Sequence, residues 1–217
     1  MIVEADLWKR YIQAHYASVS YMDEMVGRLL DALEKSPAND NTYIVFISDN
    51  GFHLGEKNHW SKFALWEIAT KVPFMISGPG VVPGERGTPV STLDIYPTLI
   101  ALCGLPKPAT HELDGISLAP VLKGQSPNRG RPVLTTHGPG NHAIRDDRYR
   151  YIRYRNGDEE LYDHATDKWE WKNIAGDPAH AQRIEAFRAQ LPDEEAPILP
   201  YNHGNESSKG WAPEAFE

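Results

Sequence analysis

Apolar residues in the first part of the chain recur at steps of three and four, which is the spacing of one helix face. The series Ile12, Tyr16, Val19, Met22, Val26, Leu29, Leu30 and Leu33 predicts one amphipathic helix over residues 7–35. Residues 36–41 (SPANDN) should end it. Residues 42–48 are almost continuously apolar, which predicts a strand buried on both faces, as in a parallel sheet. A helix that leads into such a strand indicates an α/β fold.

A second apolar segment, residues 72–77, reads as a strand and is the obvious parallel partner for 42–48. Ser91 or Thr92 can cap a following helix, and Asp94 suits its first turn. The helix should end at Cys103, because Gly104 supplies a stop. Residues 113–122 predict a turn and a short helix.

The pattern changes at Pro132, where short apolar runs replace the helical spacing. Asn156 and Gly157 mark a hairpin, so a small antiparallel sheet is expected from residues 133–136, 141–145, 149–154 and 160–162. A last amphipathic helix is predicted at 178–192. We therefore expect a first unit at 1–131, a sheet-and-helix unit at 132–192 and an irregular tail at 193–217.

Composition and charge narrow the function classes. The 217 residues include 22 Lys and Arg against 30 Asp and Glu, a formal net charge of −8, which argues against broad binding to nucleic acid. No apolar run approaches the ~18 residues of a membrane span. The single cysteine excludes an intramolecular disulfide. Residues 1–6 show no secretory signal pattern, and the sequence leaves the cellular compartment open.

Asp49, Asn50 and Gly51 directly follow the predicted strand, and ligands gather at such strand ends in open α/β sheets. A carboxylate and an amide oxygen are hard ligands suited to Ca²⁺ or Mg²⁺. The alternative is a polar turn without a ligand. Two residues also cannot complete a site that needs at least about six oxygens.

Four basic side chains follow in the next loop, at His53, Lys57, His59 and Lys62. A lysine is a compact charge suited to a sulfate or phosphate oxygen, and a histidine can protonate a leaving oxygen. A solvated loop with scattered charge is the alternative.

Other reactive or aromatic residues favour structural interpretations. Cys103 is expected to be a small buried apolar residue, and Trp169 and Trp171 are expected to serve packing. His137 and His142 fit a loop better than a cleft. Asp163 and His164 fit a structural turn after a strand.

Several segments together resemble the type I sulfatases, in the order that family has them. The resemblance covers about residues 8–190 and is closest to the iduronate-sulfatase and choline-sulfatase branch. It is carried by the segments 16–23 (YASVSYMD), 43–56 (YIVFISDNGFHLGE), 59–62 (HWSK), 70–74 (TKVPF), 90–99 (VSTLDIYPTL), 103–106 (CGLP), 113–118 (LDGISL), 149–152 (YRYI) and 159–164 (EELYDH).

The resemblance implies an alkaline-phosphatase-like α/β sandwich followed by a small antiparallel sheet and a helix. It implies that Asp49 and Asn50 are ligands of an active-site Ca²⁺, with Mg²⁺ as the alternative. Lys62 would contact the sulfate group, and His53 and His59 would face the substrate. That substrate would be a sulfated small molecule or sugar.

One departure from the family pattern limits this expectation. Sulfatases attack with a formylglycine made from a C/S-x-P/A-x-R motif, and the sequence contains none: Cys103 is followed by GLPK, and Val121 stands where the motif from Ser117 requires arginine. We therefore expect this sequence to be the C-terminal portion of a sulfatase whose N-terminal half carries the nucleophile. Its partner is expected to be that half, or a second copy of the chain that joins through an unpaired sheet edge. A phosphoester or phosphonate hydrolase and a non-catalytic anion-binding remnant are the alternatives.

Overall fold

The chain begins with the predicted long helix, α1 (Trp8–Glu34), in a computed structural model that describes residues 7–126 and 128–195. No residue of α1 is buried by the described part of the chain, and Leu29 is 70% exposed. The helix is anchored near its start, where the Tyr11 ring meets the Trp60 ring edge-on at 5.7 Å. Its apolar face is therefore largely uncovered.

The two apolar strands, β1 (Ile44–Ile47) and β4 (Phe74–Ser77), pair with each other in antiparallel orientation. The expected parallel pairing is wrong: Ile47, the last residue of β1, lies opposite Phe74, the first residue of β4. The intervening chain therefore returns at the same end of the strand and needs no crossover to the opposite end. Burial on both faces is also wrong, since Ile47 is 41% exposed in a sheet of two described strands.

The segment between β1 and β4 holds a small hairpin and one turn of helix. Strands β2 (His53–Leu54) and β3 (Trp60–Ser61) pair with His53 opposite Ser61, and a turn with 3₁₀ geometry joins them at Glu56–Asn58. Helix α2 (Glu67–Thr70) comes after β3. All three elements follow residues 49–51, which form a polar turn after β1.

Helix α3 (Ile95–Cys103) has the predicted start and stop. Ser91 and Asp94 form a capping box over a 3₁₀ turn at Thr92–Asp94, and Gly104 closes the helix at φ 64°. Cys103 is exposed, which corrects the expectation of burial. Gly104 turns the chain away immediately after it, and no described element covers this helix end.

Asp94 is fully buried and fixes α3 to the chain that follows it. Its carboxylate accepts from the Ile116 backbone N–H at 2.9 Å and from Arg129 Nη2 at 2.9 Å. Burial alone would raise the pKa of Asp94, but the Arg129 and backbone hydrogen bonds outweigh burial and hold the pKa below its ordinary value. Ile116 precedes and Arg129 follows α4 (Ala119–Leu122), the predicted short helix.

The second half folds as the predicted antiparallel sheet with a helix packed on it. The strands lie in sequence order: β5 (Val133–Thr136), β6 (His142–Arg145), β7 (Tyr149–Arg153) and β8 (Glu159–Asp163). A 3₁₀ turn at Pro178–His180 leads into α5 (Ala181–Arg188), whose Phe187 ring stacks on the Tyr151 ring at 5.7 Å. Most of the expected tail, residues 196–217, lies outside the described residues.

Trp169 and Trp171 are 51% and 62% exposed, so the packing role expected for them is wrong. Asp163 ends β8 and His164 begins the turn after it, and both have the expected structural role: Asp163 accepts from Arg148 Nε at 2.8 Å, and the His164 N–H donates to the Arg148 carbonyl.

Candidate active site

A polar turn follows β1 and carries the two expected metal ligands. The Asp49 carboxylate is exposed and accepts from the backbone N–H of Asn50 at 3.0 Å. Asn50 Nδ2 donates to the Gly51 carbonyl at 2.7 Å, which aims the amide oxygen of Asn50 the other way. Both residues therefore present a side-chain oxygen from the turn, one of them charged.

Gly51 lets this turn pass unusually close to α2. Its N–H donates to the Ala69 carbonyl at 2.9 Å, and a Cβ at this position would lie 1.8 Å from the Ile68 carbonyl oxygen. No side chain fits in that space. The close approach therefore sets the position of Asp49 and Asn50 against the following hairpin.

Lys62 is the residue that the hairpin brings to this turn. Its Nζ donates to Asn50 Oδ1 at 3.1 Å, although the two residues are 12 positions apart. Lys62 is half-buried, so its charge is partly shielded from water. The structure thus places a fixed cation beside the oxygens of the polar turn.

The rings of His59 and His53 contact each other within the hairpin. His59 Nε2 lies 2.8 Å from the Lys62 carbonyl, so that nitrogen carries the proton and donates it. The His53 ring stands at 89° to the His59 ring with centroids 4.9 Å apart. His59 therefore binds the backbone of Lys62 directly, and the His53 ring packs edge-on against the His59 ring.

His53 is completely buried. Burial lowers its pKa below the ordinary value, although the Glu56 carbonyl within 3.3 Å of Nδ1 acts in the opposite direction. Its Nε2 has no hydrogen-bond partner among residues 7–126 and 128–195. The substrate-facing role of His53 and His59 stays a prediction.

Strained backbone conformations are concentrated in this hairpin and at Glu170, whose carbonyl accepts a hydrogen bond from it. Bulky residues at positive φ are uncommon, and such strain clusters at functional sites. Among the described residues, the non-glycine positions at positive φ are Lys57, Asn58, Ser61, Phe63 and Glu170. Four of them lie in or directly after the hairpin, and the fifth accepts a hydrogen bond from it.

Lys57 belongs to a different set of contacts from Lys62. Its Nζ donates to the Tyr162 hydroxyl at 3.1 Å and to the Glu170 carbonyl. The same ammonium lies 4.8 Å from the Trp66 ring centroid and 4.7 Å from that of Tyr162. Lys57 therefore fastens the hairpin to the C-terminal sheet and is not available to an anion at the polar turn.

Replacing Lys57 by methionine keeps most of the stem and removes these charge contacts. We expect the free energy of unfolding to fall by about 1–3 kcal/mol, because two charged hydrogen bonds and two cation–π contacts are lost. Urea unfolding measures the change. Lys71→Met, at an exposed lysine, is the control and should leave the midpoint almost unchanged. Equal midpoints for the two variants would contradict a fastening role.

A buried ionic network lies beyond Lys57, and the sequence pattern did not reveal it. Glu170 is 1% exposed and accepts from His164 Nε2 at 2.8 Å and from the Glu67 N–H at 2.8 Å. It also forms an ion pair with Arg150, whose Nε lies 2.8 Å from its carboxylate. Arg145 Nη2 lies 3.0 Å from His164 Nδ1, so Arg145 belongs to the same network. The detectable signal was Arg150, a charge inside an otherwise buried strand, which requires a partner.

Ligand atoms of Glu67, His164 and Glu170 lie within 4.8 Å of one another, as in a metal site. Arg150 already forms ion pairs with both carboxylates, however, and supplies the positive charge that a cation would bring. Burial would raise the pKa of Glu67, but Arg150, Arg145 and His164 together hold it below the ordinary value. The donor set therefore fits a structural ion-pair network better than a metal.

Solved structures with the alkaline-phosphatase-like fold match most of this chain. One protein, solved in complex with its substrate D-glucosamine-2-N,6-O-disulfate, is 28% identical with a TM-score of 0.71 and covers 85% of this chain and 40% of its own. The phosphonate monoester hydrolase of Agrobacterium radiobacter is 28% identical with a TM-score of 0.68, and the match covers 81% of this chain and 39% of that one. The fold class is therefore the one that the resemblance implies.

Sequence comparison makes the assignment more specific. Residues 3–105 match the family described as sulfatase, and residues 55–196 match the one described as N-sulphoglucosamine sulphohydrolase, C-terminal. A sulfatase of Formosa agariphila is 45% identical over 85% of this chain, and a choline-sulfatase of Rhizobium meliloti is 38% identical over 78%. The chain belongs to the sulfatase family. It spans 36% and 34% of the length of these two relatives.

No helix of the described residues is long and apolar enough to cross a membrane.

Proposed function

We propose that the polar turn and Lys62 form part of the active site of a sulfate-ester hydrolase. The observation that supports this most directly is the 3.1 Å contact between Lys62 Nζ and Asn50 Oδ1, which joins a cation to a ligand-type oxygen at a strand end. An ammonium fixed in a partly shielded position stabilises negative charge that develops on an ester and its leaving oxygen. In this proposal Lys62 contacts the sulfate group.

The family suggests a metal cofactor, and we propose Asp49 and Asn50 as two of its ligands. The exposed Asp49 carboxylate is a hard oxygen donor, and Asn50 Oδ1 keeps a second lone pair beside the one that Lys62 uses. This chemistry fits Ca²⁺ first and Mg²⁺ second, with the remaining oxygens supplied from elsewhere. When bound, such an ion would polarise a sulfate oxygen.

The other residues of the hairpin would position these groups. His59 holds the Lys62 carbonyl, and Gly51 keeps the turn against α2. The proposed nucleophile is a formylglycine, and these 217 residues contain no C/S-x-P/A-x-R motif that would produce it. The proposal therefore assigns the nucleophile to a segment that joins the site from outside this sequence.

The proposed substrate is a sulfated sugar or small molecule. The similarity to a protein whose bound substrate is a disulfated glucosamine supports a sugar. The similarity to a phosphonate monoester hydrolase keeps phosphonate monoesters as a second candidate. Both classes present a tetrahedral anion to a lysine and a metal, so the site geometry alone favours neither.

The catalytic test uses the protein expressed from its natural gene, with 4-nitrophenyl sulfate and a phenylphosphonate monoester as substrates. We expect the sulfate to have the higher kcat/KM, and Lys62→Ala to lower that value by about 10²–10³-fold, as removal of one charge-stabilising donor does. Lys71→Ala is the control. A higher kcat/KM for the phosphonate would favour the second candidate. Sulfate binding without turnover would favour the non-catalytic reading.

The metal assignment is tested separately by calorimetric titration with Ca²⁺. Asp49→Ala should weaken Ca²⁺ binding, whereas Asp40→Ala, which removes an exposed carboxylate just before β1, should not. Unchanged Ca²⁺ affinity in Asp49→Ala would show that Asp49 is not a ligand, whatever the activity.

A further inference from the structure

Phe63 directly follows Lys62, and its side chain is exposed although burial is favourable for an apolar aromatic ring. Its side chain is 58% exposed, and its backbone φ is 65°. A bulky residue in the left-handed region is strained, and asparagine or glycine would occupy it more easily. Both features are unfavourable for folding, which points to a purpose in binding.

The position of the Phe63 ring is fixed by two neighbours. Its centroid lies 5.8 Å from Lys62 Nζ and 5.9 Å from the centroid of the His137 ring, at an interplanar angle of 38°. His137 follows β5, so the C-terminal sheet supplies one side of this contact. The ring thus lies between the proposed sulfate-binding lysine and the C-terminal sheet, with much of its surface open.

We propose that Phe63 is a specificity-determining residue whose exposed surface stacks on the pyranose ring of a sulfated sugar held by Lys62. This inference rests on the proposed function and adds a subsite to it. A pyranose presents a face of C–H groups that packs on an aromatic ring, and its sulfate lies at the rim of the same ring. The adjacency of Lys62 to Phe63 matches that arrangement.

The charges around Phe63 favour a sugar over a cationic sulfate ester such as choline sulfate. A quaternary ammonium binds well over an aromatic ring, but here the Lys62 ammonium already lies near that ring and would repel a second cation. Burial lowers the pKa of His137, so this neighbour adds no positive charge at neutral pH and offers no compensating negative charge. A neutral pyranose meets no such repulsion.

The test is calorimetric binding of glucose 6-sulfate, choline sulfate and inorganic sulfate to the protein expressed from its natural gene. In Phe63→Asn we expect glucose 6-sulfate to bind about fivefold to tenfold more weakly, the size of a typical aromatic contact. Inorganic sulfate should change less than about twofold. Because asparagine accepts positive φ, the unfolding midpoint should stay the same or rise. Trp171→Ala, at another exposed aromatic, is the control and should bind all three ligands normally.

The outcomes separate this inference from the proposed function. Equal weakening of all three ligands would mean that Phe63 only positions Lys62, and a loss confined to choline sulfate would mean a cation subsite; either result overturns the stacking proposal. Normal sulfate binding with no effect of Phe63→Asn overturns this inference and leaves the proposed function intact. If the unmodified protein binds none of the three ligands, both are overturned.

Discussion

Replacing Glu170 by alanine is expected to lower the free energy of unfolding by about 3–5 kcal/mol, the usual cost of leaving a buried charge without its partner. Glu170 is 1% exposed, and the Arg150 side chain that it neutralises is 3% exposed. The substitution also removes the acceptor for His164 and for the Glu67 N–H. Urea unfolding followed by circular dichroism measures the change.

Two further variants make this expectation specific to the buried charge. Glu170→Gln keeps the shape and part of the hydrogen bonding, so it should destabilise less than Glu170→Ala. Glu185→Ala removes an exposed partner of Arg188 and should change stability by no more than about 0.5 kcal/mol. A Glu170→Ala midpoint close to that of Glu185→Ala would show that the network does not stabilise the fold.

The helices were predictable from the sequence because their signals are local. The three- and four-residue spacing located α1, and Ser91, Asp94 and Gly104 gave the start and end of α3. The hairpin at Asn156 and Gly157 likewise identified the pairing of β7 with β8. In each case the residues that determine the element lie within a few positions of one another.

The direction of the β1–β4 pairing was not predictable in this way. A continuous apolar run records that a strand meets other apolar surfaces, but it carries no information about which way its neighbour runs. The exposure of Cys103 and Trp171 is a similar case. Whether such a residue is covered depends on which distant segment packs over it, and residue type alone gives only an average tendency.

In the candidate site too, the residues with local signals were predictable and those with distant partners were not. The strand end indicated Asp49 and Asn50, and the loop after it indicated a group of basic side chains, from which only the family resemblance selected Lys62. The residue pattern alone did not distinguish Lys57 from Lys62, since the partners of Lys57 are Tyr162 and Glu170, more than one hundred positions away. Long-range ion pairs of this kind leave no spacing pattern in a single sequence.

Gly51→Ala is expected to destabilise the protein by about 2–4 kcal/mol, although it adds only one methyl group. That methyl would lie 1.8 Å from the Ile68 carbonyl oxygen, which is backbone and cannot move aside as a side chain would. The turn must shift, which brings a strain of about 1–3 kcal/mol and weakens the Gly51 to Ala69 hydrogen bond by about 1 kcal/mol. Chemical denaturation measures the loss.

Gly27→Ala is the matched control, because a Cβ there meets nothing within 4 Å. In the interior of α1 it should stabilise the helix by about 0.5–1 kcal/mol. The same pair of variants also tests the origin of the site geometry. If the contact with α2 places the polar turn, Gly51→Ala should weaken Ca²⁺ binding under conditions in which the variant remains folded, and Gly27→Ala should not. Normal Ca²⁺ affinity in a folded Gly51→Ala protein would mean that Asp49 and Asn50 are positioned by the hairpin and Lys62 rather than by α2.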